Sequence, residues 1–100
     1  MAYDSGRMDA TLAAAAGDDP ALFAQLRAAF AESVATQVDL LGRARCDGNW
    51  TLAASRLKGL AVSFHAAELD DLAEQALASA PGDPVALRRM RTYLEALNAD

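Results

Sequence analysis

Two Asp-Pro steps divide this sequence, and between them the apolar residues keep to three- and four-residue intervals. Those two features leave room for helices and little else. "GDDP" at 17–20 offers Asp19 as an N-cap with Pro20 in the first turn, "CDGN" at 46–49 interrupts the next run, and "PGDP" at 81–84 repeats the Asp-Pro start. From Pro20 to about Arg45 the apolar series is Leu22, Phe23, Leu26, Phe30, Val34, Val38 and Leu41, the period of an amphipathic helix. Between Asn49 and Phe64 the series is Trp50, Ala53, Ala54, Leu57, Leu60, Ala61 and Phe64. "HAAELDDLAEQALASA" at 65–80 puts Leu69, Leu72, Ala73, Ala76, Leu77 and Ala80 on one side, and Asp83 to about Asn98 carries Leu87, Met90, Leu94 and Leu97. A short helix is predicted at Asp9 to Ala16. Abundant alanine and scattered β-branched residues favour helix over strand throughout. The expectation is one all-α domain over 1–100: an antiparallel up-and-down four-helix bundle with a short additional N-terminal helix, residues 1–8 being loosely ordered.

Composition narrows the function classes. One hundred residues with 53% hydrophobic content suit one modest core. A net charge of −5 argues against a nucleic-acid surface or an anionic membrane, which recruit clustered Lys and Arg. Cys46 is the single cysteine and His65 the single histidine, so an intrachain disulfide, a Cys-rich zinc site and a His-pair metal motif are excluded by arithmetic. No run of about 18 apolar residues spans a bilayer, and "MAYDSGRMD" does not read as a leader. The expectation is a cytoplasmic protein, monomeric or weakly dimeric, without metal or cofactor.

The stretch that asks for a function is "SRLKG" at 55–59. At about 100° per residue, the apolar residues of its helix centre near Leu57, so Ser55, Gly59 and Val62 look outward with Lys58 beside them. Lys58 lies about one turn past Ser55, within reach of whatever sits there. Gly59 is costly inside a helix, by about 1 kcal/mol relative to Ala. It either leaves the backbone open to a bulky partner, or permits close packing between helices, or is simply tolerated there.

This pattern resembles the histidine-containing phosphotransfer (HPt) domain of bacterial phosphorelays, over about residues 9–97. Phe30 resembles the aromatic of the family's first helix, "CDGNW" its turn, Leu57, Lys58 and Gly59 its His-x-Leu-Lys-Gly motif, and "AAELDDLAEQA" the helix that follows. The resemblance implies a module of two-component signalling whose partner is a response-regulator receiver domain or a histidine kinase, with Ser55, Lys58, Gly59 and Val62 at the contact. Two positions depart from it: the family's phospho-accepting His falls on Ser55, and a Gly ten residues later falls on His65. A serine hydroxyl is a poor nucleophile without an adjacent base, and neither a carboxylate nor an imidazole lies one turn from Ser55 in the sequence. The implied activity is therefore missing at position 55, and the chain reads as a non-phosphorylatable binding module with no catalytic residue, not an enzyme.

Two other readings stand beside it. One is a structural or oligomerising helical domain, dimerising through Val62 and its neighbours. The other is a relay protein using His65 as a displaced phosphoacceptor, although His65 is about 15 Å of helix rise from Ser55 and suits a helix C-terminus near a left-handed turn. Cys46 is expected to be a small buried hydrophobe. Arg88, Arg89 and Arg91, and the acids Glu68, Asp70, Asp71 and Glu74, are expected to be solvated faces or weak surface pairs.

Overall fold

A computed structural model of the chain describes residues 6–99. Five helices make it up: α1 (Gly6–Ala16), α2 (Pro20–Arg43), α3 (Asp47–Phe64), α4 (Ala67–Leu77) and α5 (Pro84–Leu97). No strand occurs among the described residues. Local chemistry sets the helix starts. Asp19 Oδ1 accepts the N–H groups of Ala21 and Leu22, and Asp83 Oδ2 accepts that of Ala86 at 2.9 Å, each followed by a proline whose missing N–H costs nothing in the first turn.

The start of α1 corrects an expectation. Gly6 to Met8 are helical, and Met8 is buried with Leu12 and Ala16, one residue per turn along a single stripe. The helix therefore begins three residues before the Asp9 predicted for it, within the 1–8 stretch. The remainder of that stretch, residues 1–5, lies outside the described residues.

Helix α3 packs against α2 and α4, and α5 also packs against α2 and α4, so the four form a ring of neighbours. Helix α1 lies against α2 and α3. A single buried cluster draws on all five, with Phe30, Val34 and Leu41 from α2, Trp50 and Leu57 from α3, and Leu69, Met90 and Leu97 from α4 and α5. Trp50 is nearly sealed and gives its indole N–H to the Ala76 carbonyl across the α3–α4 seam at 2.7 Å. Phe30 and Phe64 meet with ring centroids 5.0 Å apart and planes tilted by 56°, a favourable aromatic geometry. No helix among the described residues is long and apolar enough to cross a membrane.

Four side chains expected to be buried or on an apolar face are placed differently. Leu22 and Ala80, placed on apolar faces by spacing, are exposed because each lies at a helix or turn end that no neighbour covers. Tyr93 takes a core position while Leu94 is only half-buried, so α5 is rotated slightly from the axis its leucines suggest. Cys46 is exposed, not buried: it is the extended residue that precedes α3, its side chain caps nothing, and no helix packs over it.

Candidate functional site

The site expected from the sequence lies on the outer side of α3. Leu57 is fully buried on the inner side, so Ser55 and Gly59 are carried outward and are exposed; Val62 is 56% exposed, the most open large apolar side chain described. A methyl group added at Gly59 would meet no atom within 4 Å. Close helix packing within the chain therefore does not explain this glycine. Gly42 is the contrast, since a methyl there would run into the Arg91 guanidinium, at 2.7 Å from Nη2.

Lys58 has left the outward strip. Its ammonium is 2.7 Å from Asp70 Oδ1 and 2.5 Å from Glu74 Oε1, one turn apart on α4. Hydrogen bonds to Asp70 and then Glu74, with their charges, push its pKa up from 10.5 to about 12 against a smaller opposing effect of desolvation. The ammonium reads as a pin between α3 and α4, and Asp70 and Glu74 are engaged partners rather than part of a merely solvated acidic face.

The opposite flank of α3 holds a residue that the sequence reading passed over. Arg56 is exposed and makes no hydrogen bond or ion pair among the described residues. It stands where two shallow hollows between α2 and α3 meet, one of about 390 Å³ toward Asn49 and one of about 430 Å³ toward Phe64. Leu40 and Leu52, both exposed, border the first hollow; Gly59, Thr36 and Ser63 border the second. The available signal was angular: Arg56 lies about 160° around the helix from Lys58, so the two cations had to face different neighbours.

His65 ends α3 with φ 57° and ψ 40°, the left-handed conformation. The Ala66 N–H returns to the Ala61 carbonyl at 2.8 Å and the His65 N–H to Val62 at 3.4 Å, closing the helix as a glycine commonly does. His65 Nδ1 is 2.6 Å from Thr11 Oγ1, whose hydroxyl is also 3.0 Å from the Arg7 carbonyl, so the ring ties the α3–α4 turn to α1. Arg89 donates to Gln75 Oε1 at 2.9 Å across α4 and α5. No group of three or more His, Cys, Asp or Glu placed to hold a metal occurs among the described residues. Comparisons of the chain with family models, with curated proteins and with solved structures found no match.

Proposed function

We propose that the chain is an HPt-like protein of two-component phosphorelay signalling, a cytoplasmic module that binds a receiver domain or a histidine kinase without itself carrying a phosphoryl group. The observation that supports this most is the strip Ser55, Gly59 and Val62, open to solvent midway along the third of five helices. A helix-interior glycine with no packing reason for it inside the chain fits a partner that approaches the backbone there. The bundle is read as up-and-down, with neighbouring helices antiparallel. Supporting this, contacts retreat from the two-residue α3–α4 connection in step, Lys58 with Asp70 and Trp50 with Ala76.

The Ser55 hydroxyl makes no hydrogen bond to a base among the described residues, so it lacks the activation that serine nucleophiles need. Incubation with a radiolabelled phosphorylated receiver should leave the protein unlabelled while the receiver still binds; acid-labile label on His65 would refute the reading. Ser55→His should confer labelling, and failure both to label and to bind any receiver would count against the docking surface. A second reading, self-association through Val62, draws on that residue's exposure. Light scattering of the wild type against Val62→Glu separates the two, because only self-association predicts a concentration-dependent mass that the substitution abolishes.

A further inference from the structure

From the groove between α2 and α3 we infer that this face binds an acidic amphipathic helix of a partner protein, with Arg56 as its electrostatic anchor. The groove shares Gly59 with the strip proposed above, but the inference is argued from the groove's shape and charge and holds for a partner of any pathway. The shape comes first. The two hollows lie end to end along α3 from Asn49 to Phe64, about 22 Å at the rise of an α-helix, enough for about four turns of a third helix lying on two. Along it run apolar contacts interrupted by polar ones: Leu40 and Leu52 are exposed at one end, and Leu60 and Phe64 are half-buried at the other. An amphipathic helix offers apolar residues at that spacing.

Charge selects the kind of helix. The protein carries a net charge of −5, yet this groove holds Arg56 at its middle and Arg43 at its end, with no acidic side chain among the described residues lining either hollow. Arg56 makes no ion pair among the described residues, and Arg43 is held only by Asp39, in a pair whose two side chains are 74% and 63% exposed. A pair that open is weak and exchanges readily for a partner carboxylate. The α4–α5 hollow differs, because Glu68 and Asp71 line it together with Arg88 and Arg89 and leave it without one sign of charge. Electrostatic complementarity therefore favours acidic over basic helices at the α2–α3 groove and shows no such preference at the α4–α5 hollow.

The test uses two synthetic capped peptides of about 18 residues, long enough for the groove, with the same leucine and alanine face. One carries Glu and the other Lys on the polar side. Titrated into the isotope-labelled protein, the Glu peptide should bind the more tightly and shift amide resonances of residues such as Gln37, Arg56 and Gly59. Arg56→Glu should weaken the Glu peptide by about tenfold or more and improve the Lys peptide. Arg88→Glu, which changes net charge equally but lies on α5, should leave the preference in place. The inference is overturned by equal binding of the two peptides, by shifts centred on α4 and α5, by equal effects of the two substitutions, or by no binding at millimolar peptide. Unchanged circular dichroism of both variants establishes that each is folded, as the exposure of both arginines leads one to expect.

Discussion

The two flanks of α3 are finished in opposite ways. Toward α4, Trp50 gives its indole proton to the Ala76 carbonyl and Lys58 is clasped by Asp70 and Glu74. Toward α2 the inner contacts are tight, as with Phe30 against Phe64, but the outer margin falls away into hollows around Arg56, which is unpaired among the described residues. One helix thus carries a cation paired to two carboxylates of its neighbour and a cation that makes no ion pair among the described residues. The difference teaches that basic side chains two residues apart in "SRLKG" meet different neighbours, because the step of about 200° sends them to opposite flanks of one helix.

The largest way to break this contrast is at the sealed flank. Trp50→Ala should cost about 3–5 kcal/mol in a urea melt, the range for emptying a large core site. Trp50→Phe keeps most of the volume but removes the proton given to Ala76, and should cost about 1–2 kcal/mol. If Trp50→Phe were neutral, the seam would depend on packing alone.

The open flank should respond with the other sign. Gly59→Ala places a methyl in empty space within a helix, so it should stabilise the protein by about 0.5–1 kcal/mol in the same melt. If a partner approaches the backbone there, the same substitution should weaken that partner. A loss of stability would mean that Gly59 has a structural duty not visible in its surroundings.

Lys58 provides a pH test confined to the alkaline range. Because its pKa rises from 10.5 to about 12 on folding, its stabilisation is complete below 10.5 and is lost as pH climbs through 12. Since it is the only lysine, the stability difference between wild type and Lys58→Met should be flat up to about pH 10 and shrink above it. A difference constant across that range would mean that the ammonium contributes through its alkyl stem rather than its charge. Smallest of all should be Arg56→Met, within about 0.5 kcal/mol, as for surface positions without special partners. A larger destabilisation would assign Arg56 a structural role and erase the contrast between the flanks.

Much of this was legible in the sequence because it is local. An Asp-Pro start acts through hydrogen bonds two or three residues away, as Asp19 and Asp83 do, and the outward direction of Ser55, Gly59 and Val62 follows from helical angle alone. The left-handed close at His65 was likewise a matter of adjacent residues. Residues at margins were read less well. Leu22 and Cys46 have the chemistry of buried groups, but burial needs a neighbouring element, and the sequence does not say where helix packing stops.

What the sequence by itself determined, then, was the helical class, the Asp19 and Asp83 caps and the face of α3 that looks away from the core, all consequences of backbone geometry and short-range hydrogen bonding. Only the tertiary structure decided that Lys58 meets two carboxylates and Arg56 meets none among the described residues, or that Tyr93 rather than Leu94 fills the core. A helical angle gives a side chain its direction, but the rotation of each helix against its neighbours decides what stands in that direction.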